Sequence, residues 1–292
     1  MDEKVIATAK SLLHDPVMAE QLAVSGYTTF PFLGSADVQK LTEYYYGFQK
    51  EEPAHFYSST HAKDPAFRRT TSDHIKSIIS PLMSSMLKNY RLLGGAFVVK
   101  PPHGKGVLQP HQDWNIVDEE NTRSFNLWIP LTDVNVENGA VFVLPGSHAK
   151  IKTYRGPGIP SIFKNIEPAA WQSLQPLIMK AGEALFYDHA LLHGSPANQT
   201  NAARLGIVCG VITATAEMQL CFQKDQHIDL YKADEHFFME KDPNGGPDGL
   251  QFIRSVTPAH TNLSEEDYNT MFLGKPELSR HWLKKLFAIR RS

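Results

Sequence analysis

The middle of this sequence is dominated by short apolar stretches that are separated by turn residues. They begin after residue 92 and read GGAFVVK (94–100), GVLQPHQDW (106–114), SFNLWIPLTDV (124–134), GAVFVLPGS (139–147), EALFYDHALLH (183–193) and RLGIVCGVITATA (204–216). Several strands of this length at such spacing are typical of an all-β barrel or sandwich, whereas a parallel sheet would alternate strands with helices. The sequence therefore predicts an all-β core.

Helical patterns precede these strands. Apolar residues recur at helical spacing over residues 4–25, and Ser35 or Asp37 is placed to cap a second helix. A third helix is predicted over residues 72–90, where Pro81 implies a kink or a break. We therefore expect helices to flank the β core.

Residues 150–180 are rich in proline and glycine, and they predict a long loop with a short helix over residues 168–177. Loops of this length in compact domains often serve as functional lids. The chain is interpreted as a single domain. Its parts are a mainly helical N-terminal layer over 1–91, the β core over 92–216 and a C-terminal extension over 217–292.

The end of the chain, residues 276–292, interleaves apolar residues with lysines and arginines. This pattern is compatible with a helix at a membrane surface or on a partner protein. A helix whose apolar side docks on the barrel is the favoured interpretation.

Composition narrows the class of protein. The formal net charge of −2 provides no global basic field for nucleic acid, and no apolar run approaches the roughly 18 to 20 residues that cross a bilayer. The N-terminus does not resemble a signal peptide. Cys209 and Cys221 are too few for a disulfide framework and fit small buried side chains in a reducing compartment. We expect a cytoplasmic monomer or homodimer that acts on a small molecule, without nucleic acid and without membrane insertion.

The tripeptide His111-Gln112-Asp113 is the first candidate for chemistry. On a strand, residues i and i+2 project to the same face with Cα atoms about 6.5 to 7 Å apart. An imidazole and a carboxylate in this arrangement can share one metal ion. Two histidines and one carboxylate on one face of an octahedron leave three open positions, which suit non-haem Fe(II), a 2-oxo acid and O₂.

The third ligand is predicted to be His193, and His189 competes for this role. On a helix the two would share a face, but the flanking glycines and the absence of an H-E-x-x-H pattern favour a strand. On a strand their rings would lie about 13 Å apart. His189 is therefore predicted to be structural or to support a ligand.

Arg204 follows His193 by eleven residues across a predicted turn over 197–201. In an antiparallel hairpin, the strand of Arg204 would return beside the strand of His193. A buried guanidinium there could anchor a carboxylate through two hydrogen bonds, and the distal carboxylate of 2-oxoglutarate needs such an anchor.

These motifs together resemble one known family. The residues HQDW (111–114), NLWIPL (126–131), DVNVENGAVFVLPGSH (133–148) and HGSPAN…R (193–204) are similar to those of the phytanoyl-CoA dioxygenase family, over roughly residues 20–215. The resemblance implies a double-stranded β-helix, the jelly-roll, cupin-like barrel. It also implies turns at Asn138-Gly139 and at 145–148, where His148 is read as a turn residue.

The resemblance further implies a site. Iron would bind His111, Asp113 and His193, with O₂ and 2-oxoglutarate as co-substrates. The residues assigned to 2-oxoglutarate are Arg204, Trp128, Ser195 and Lys100. Lys100 is the only nearby candidate at the end of an apolar strand, where it could instead cap that strand in solvent.

The expected reaction is hydroxylation of an unactivated C–H bond in a small metabolite or natural-product intermediate, because Asp113 occupies the position that related halogenases leave to chloride. Desaturation or dealkylation begins in the same way. The predicted substrate contacts are Trp114, Arg123, Arg155 and Tyr187. Three alternatives remain open: a cupin-type metalloenzyme without 2-oxoglutarate, a non-catalytic metal- or ligand-binding barrel, and a zinc hydrolase.

Overall fold

The computed structural model describes residues 3–49, 51, 53–104, 106–241 and 243–274. The helices are α1 (Glu3–Leu12), α2 (Pro16–Ser25), α3 (Ser35–Phe48), α4 (Pro65–Met86), α5 (Glu167–Ser173), α6 (Glu235–Glu240) and α7 (Glu265–Tyr268). Short 3₁₀ turns occur at Ser59–His61, Ser147–Ala149, Lys164–Ile166 and Pro243–Gly245, and a π-helical turn at Asn269–Leu273. The helix predicted over 276–292 lies outside the described residues.

The strands are two to eleven residues long. They are β1 (Tyr27–Pro31), β2 (Tyr57–Ser58), β3 (Tyr90–Lys100), β4 (Leu108–His111), β5 (Ser124–Pro130), β6 (Val141–Val143), β7 (Gln175–Leu177), β8 (Glu183–Asp188), β9 (His193–Ser195), β10 (Arg204–Thr213), β11 (Met218–Lys224), β12 (His227–Ala233) and β13 (Gln251–Val256). Each stretch predicted as a strand from the sequence contains one of them.

The prediction of a single helix over residues 4–25 is wrong, because residues 13–15 are not helical and separate α1 from α2. Asp15 is the N-cap of α2, and its carboxylate accepts hydrogen bonds from the backbone N–H groups of Val17 at 2.7 Å and Met18 at 3.2 Å. Pro16 occupies the first position of α2, where its missing N–H costs nothing. The apolar spacing runs through both helices and therefore conceals the break.

Two other helix boundaries differ from the prediction. Gly34 is the N-cap of α3 and makes no side-chain capping bond, so neither Ser35 nor Asp37 caps this helix. The third predicted helix begins earlier, because Asp64 caps α4 by accepting from Ala66 at 2.9 Å. It runs to Met86 with Pro81 inside it, and the helix is not broken there.

Two antiparallel sheets form the core. One has the strand order β1-β8-β5-β10-β3-β2 and the other β4-β9-β6-β7. Side chains from both sheets meet in one buried cluster, including Val98 and Trp128 from the first and Val141 and Val143 from the second. The sheets therefore face each other as a jelly roll, which confirms the predicted double-stranded β-helix with flanking helices.

Alternation along the strands assigns the two faces of the larger sheet. Phe97 and Val99 on β3 point outwards to the cluster that contains Ile75 and Ile79 of α4. Val98 and Lys100 alternate with them and therefore face the inside of the barrel. The helices thus cover one face of the sheet, and the candidate site lies on the other.

The stretch 183–193 is not one continuous strand. β8 ends at Asp188, a turn follows in which the Leu191 backbone donates to Asp188 at 2.9 Å, and His193 then begins β9 in the other sheet. The predicted hairpin between the strands of His193 and Arg204 is also wrong, because β9 and β10 belong to different sheets. The chain changes sheets at both points, which a local pattern does not reveal.

The remaining strands, β11-β12-β13, form a separate sheet after the core. It joins the core through the bridge between Val117 and Met218. The segment 150–180 is packed in its first half, where Ile151, Ile162 and Phe163 are buried. Among the described residues, no helix has the length and apolar character required to cross a membrane.

Candidate metal centre

His111, Asp113 and His193 converge at one end of the barrel. His111 is the last residue of β4, and it pairs directly with His193, the first residue of β9. Their imidazole and carboxylate donor atoms all lie within 4.8 Å of one another. His111 Nε2 is 3.6 Å and His193 Nε2 is 3.9 Å from the Asp113 carboxylate. Two nitrogen donors and one oxygen donor therefore face a common point.

Backbone carbonyls fix the orientation of both imidazoles. His111 Nδ1 lies 2.7 Å from the carbonyl of Gln109, and His193 Nδ1 lies 2.9 Å from that of Leu191. A proton on each Nδ1 donates to the carbonyl and leaves the lone pair of Nε2 directed into the site. Metal-binding histidines are held in this way. The donor set therefore fits a divalent transition metal such as Fe(II).

The electrostatics of the three groups are coupled. Burial alone would raise the pKa of the Asp113 carboxyl, but His193 and His111 outweigh it and hold that pKa below its usual range. Burial, together with the charge of His111, lowers the pKa of His193 to about 4. Near neutral pH the site therefore presents a carboxylate and a neutral His193, which are the protonation states that bind metal.

Asn126 orients the carboxylate, and sequence reasoning missed it. Its amide Nδ2 donates to Asp113 Oδ2 at 2.8 Å and lies 3.3 Å from the Tyr187 hydroxyl. Asn126 precedes Trp128 by two residues on β5, so the alternation of this strand could have placed it on the inner face. The alternation of inward and outward side chains along the NLWIPL motif is the sequence feature that indicates this role for Asn126.

Tyr187 lies against the metal centre. Its ring centroid is 5.0 Å from that of His193, and burial, with the charge of Asp113, raises the pKa of its hydroxyl well above the usual value. The hydroxyl is therefore neutral, and it hydrogen-bonds to the Asp113 carboxylate. Tyr187 is therefore placed to contact a ligand that binds at the metal end of the cavity.

His189 lies outside the candidate triad, in agreement with the sequence-based prediction. That prediction assumed that His189 and His193 share one strand, but His189 lies in a turn. It lies in the turn after β8, and its backbone carbonyl accepts from the Asp113 backbone at 2.8 Å. Its Nδ1 is 3.0 Å from Ser124 Oγ. His189 therefore holds the segment of Asp113 through its backbone.

Two buried cations lie deeper in the barrel. Lys100 is 0% exposed and Arg204 is 2% exposed, and they pair across β3 and β10. Lys100 Nζ donates to the carbonyls of Ser195 at 3.0 Å and Pro196 at 2.8 Å. It does not cap its strand in solvent, which was the alternative considered from the sequence. No carboxylate of the described residues forms an ion pair with either cation.

Desolvation of these cations is only partly compensated. Burial, together with Arg204, lowers the pKa of Lys100 to about 6, and burial lowers the pKa of Arg204 to about 9. Arg204 donates to the Gly139 carbonyl and lies 3.4 Å from Ser195 Oγ, whereas its Nε has no partner. A buried charge without a counter-ion is costly. An anionic ligand at this position would remove that cost.

Trp128 and Ser195 connect the cations with the triad. The Arg204 guanidinium carbon lies 5.2 Å from the Trp128 ring centroid. Ser195 follows His193 by two residues on β9, so both side chains face the same side with an offset of about 6.5 to 7 Å. Ser195 therefore lies between the triad and Arg204, whose Nη1 is 3.4 Å from Ser195 Oγ.

A cleft of about 160 Å³ opens beside the triad. His111 and Trp114 form one side, and residues 153–156 and 159–163 form the other. Trp114 and Arg155 of the predicted substrate residues therefore line it. A larger cleft of about 440 Å³ lies between α1 and the loop after β10, but no ionisable side chain lines it. The smaller cleft, which His111 lines, is therefore the candidate site for a reaction.

Arg123 is not among the residues that line this cleft. Its Nε donates to Asp188 Oδ2 at 2.8 Å and its Nη2 to Oδ1 at 2.6 Å. Both partners are buried, and Arg123 holds the pKa of the Asp188 carboxyl below its usual value despite burial. The expectation of a substrate contact thus gives way to a structural ion pair, because this arginine points into the core.

Comparison with known proteins agrees with this architecture. The profile of the family described as "Phytanoyl-CoA dioxygenase (PhyH)" matches residues 36–206. Phytanoyl-CoA dioxygenase domain-containing protein 1 of Mus musculus is 30% identical over 155 residues, covering 49% of this chain and 52% of that protein. A probable alpha-ketoglutarate-dependent hypophosphite dioxygenase of Stutzerimonas stutzeri is 30% identical over 148 residues, covering 48% and 51%. The chain spans about half the length of these curated relatives.

Solved structures share the fold at low identity. The epimerase SnoN, solved with Fe³⁺, alpha ketoglutarate and nogalamycin RO, has a TM-score of 0.52 and 20% identity over 84% of this chain and 96% of that one. The carbocyclase SnoK of nogalamycin biosynthesis has a TM-score of 0.51 and 20% identity over 72% and 88%. Since the family profile matches more than half of the sequence and includes the triad and Arg204, this chain belongs to the phytanoyl-CoA dioxygenase family.

Proposed function

We propose that this chain is an Fe(II)- and 2-oxoglutarate-dependent dioxygenase that hydroxylates an unactivated C–H bond of a small metabolite or natural-product intermediate. In this reaction O₂, 2-oxoglutarate and the substrate C–H group give succinate, CO₂ and an alcohol. One oxygen atom enters succinate and the other enters the product hydroxyl.

The observation that carries the proposal is the pair of buried basic side chains, Lys100 and Arg204, behind the metal triad. Neither has a carboxylate partner among the described residues. A metal alone, or a metal with a neutral ligand, would leave this pair unexplained. A dianion with one end at the triad and the other at Arg204 explains both features.

In the proposed mechanism the protein holds and orients the reactants. His111, Asp113 and His193 would bind Fe(II), which supplies the activation of O₂ when it is bound. Arg204 and Lys100 would hold the distal carboxylate of 2-oxoglutarate, beside Ser195 and Trp128. Asn126 would keep the Asp113 carboxylate directed at the metal through its 2.8 Å hydrogen bond.

Aromatic side chains line the cleft beside the triad. Trp114, Tyr154 and Phe163 contribute to the walls of the cleft on the side where substrate would enter. A small cleft of this kind supports a small-molecule substrate. The presence of Asp113 supports hydroxylation over halogenation, because its carboxylate would occupy the position on a bound metal that chloride would need.

The test is anaerobic addition of Fe(II) and then 2-oxoglutarate, followed by visible spectroscopy. We expect a weak metal-to-ligand charge-transfer band in the wild type. Asp113→Ala removes a ligand and should abolish the band. Arg204→Met should bind iron normally but weaken 2-oxoglutarate by at least about a hundredfold, since it loses charge-assisted hydrogen bonds.

Arg69→Met is the matched control, because Arg69 is half-exposed and pairs with Glu240 away from the cleft. It should titrate as the wild type does. A wild-type protein that binds one iron per chain without a band on addition of 2-oxoglutarate would contradict the proposal.

Organisation as one oxygenase unit over residues 1–292 and a cytoplasmic location are retained as part of this proposal. Support for the former comes from the C-terminal sheet, which packs against the core at Val117 and Met218. Support for the latter comes from two buried free cysteines, Cys209 and Cys221.

A further inference from the structure

Arg155 connects the two sides of the cleft. It lies in residues 151–163, here called the covering loop, and is 8% exposed. Its Nε donates to the backbone carbonyl of Asp113 at 2.5 Å. Its two terminal nitrogens bind the Glu119 carboxylate, and Nη1 also donates to the Thr153 carbonyl at 3.0 Å. One guanidinium therefore joins a predicted metal ligand, an acidic side chain and the loop itself.

The backbone reinforces this connection two residues beyond Asp113. The Asn115 backbone donates to the Arg155 carbonyl at 3.0 Å, and the Arg155 backbone donates to Asn115 Oδ1 at 2.6 Å. On the opposite side, the Asp113 backbone donates to His189 at 2.8 Å. The segment of Asp113 is thus held between His189 and the covering loop.

The covering loop is fixed on its far side as well. A Cβ at Gly156 would lie 2.0 Å from the backbone carbonyl of Cys221, so only glycine allows this approach to β11. Tyr154 and Ile159 pack against the buried cluster of Cys221 and its sheet. The sheet that follows the family match therefore supports the loop from behind.

Most of the hydrogen-bonding capacity of Arg155 is used within the protein. Its Nε and both terminal nitrogens are engaged, and the charge of Glu119 balances its own. The sequence-based expectation that Arg155 binds substrate through its charge is therefore not what this geometry favours.

We propose that Arg155 is a positioning residue that fixes the covering loop to the metal-ligand segment 113–115. A single side chain then sets both the closure of the cleft and the direction of the Asp113 carboxylate. The part of this proposal that concerns Asp113 rests on the proposed metal site, whereas the part that concerns the loop does not.

The test compares three variants in two assays. Arg155→Met removes the guanidinium, Arg155→Lys keeps the charge beside Glu119 but loses the planar set of donors, and Arg123→Met is the matched control. Arg123 is similarly buried, and one of its nitrogens lies 3.8 Å from the same Glu119, but its hydrogen bonds run to Asp188 and to the His148 carbonyl.

The first assay is anaerobic titration with Fe(II) alone. We expect Arg155→Met to weaken binding by about ten- to a hundredfold, the usual effect of removing a group that orients a ligand. Arg123→Met should bind iron as the wild type does, although it unfolds at a lower temperature. Equal iron affinities for wild type and Arg155→Met would overturn the role at Asp113.

The second assay is limited trypsin digestion of the metal-free protein. Lys152 and Lys164 are exposed at the two ends of the covering loop and report its release. We expect faster cleavage at both in Arg155→Met, and protection that is largely restored in Arg155→Lys. Cleavage equal to that of Arg123→Met would overturn the role in holding the loop, even if the wild type bound no iron.

If Arg155→Met does not fold, Glu119→Gln serves in its place. It removes one charge of the pair but keeps an acceptor, so the same two effects are expected at smaller size. Their absence in a folded Glu119→Gln protein would overturn the proposal.

Discussion

Two groups of buried charges in this protein differ in one respect. In one group, Arg123 pairs with Asp188 in the core and Arg155 pairs with Glu119 beside the cleft. Inside the barrel, Lys100 pairs with no described carboxylate, although it is at least as deeply buried. Charges with an internal partner hold the fold together, whereas a buried charge without one indicates where a ligand binds.

The same difference explains which sequence-based roles changed. The sequence predicts a substrate contact for Arg123, which lies in the segment that follows His111 and Asp113, and for Arg155, which lies in the long loop rich in glycine and proline. The structure gives each an acidic partner instead. Lys100 was the weaker candidate from the sequence, and its burial makes it a stronger one.

The largest effect on stability is expected where the paired group is broken. Arg123→Met leaves Asp188 buried without its counter-ion, and we expect a loss of about 3 to 5 kcal/mol in the free energy of unfolding. Urea denaturation measures it. Lys40→Met, which breaks an exposed pair with Asp37, is the control and should cost less than about 1 kcal/mol.

A smaller and opposite effect is expected in the unpaired group. Arg204→Met removes a desolvated charge that has no counter-ion, so the ligand-free protein should unfold within about 1 kcal/mol of the wild type, or at higher stability. The variant should also lose the stabilisation that 2-oxoglutarate gives the iron-loaded wild type in thermal unfolding. A loss as large as that of Arg123→Met would remove the distinction between the two groups.

The smallest expected effect is the uptake of a proton by Lys100 when an anionic ligand binds. Its pKa falls from 10.5 to about 6 in the ligand-free fold, so the unfolded chain holds more protons between these values. Stability from this group is therefore complete above about pH 10.5 and is lost as pH falls towards 6. An anion beside Lys100 would raise its pKa again, so binding of 2-oxoglutarate near pH 7.5 should take up about one proton or less.

Calorimetry in buffers of different ionisation enthalpy measures this uptake. Lys100→Met should abolish it while leaving iron binding intact. Uptake that persists unchanged in Lys100→Met would assign the proton to another group and would weaken the comparison.

Most of the fold could be predicted from the sequence, because the strands carry a local period of two and the helices a local period near four. The errors lie where the chain changes direction within an unbroken apolar pattern. The helix over 4–25 divides at Asp15, and the stretch 183–193 divides at Asp188. Hydrophobic spacing alone does not record such a change, because apolar residues continue on both sides of the break.

The sequence by itself determined the family resemblance, and with it the candidate triad His111, Asp113 and His193 and the candidate anchor Arg204, because these residues belong to short local motifs. Only the tertiary structure decided which buried charges have partners. Arg155 meets Glu119 across 36 residues, Arg123 meets Asp188 across 65, and Lys100 meets Ser195 across 95. Such contacts depend on how two sheets and a loop pack in space, and no local pattern in a single chain carries that information.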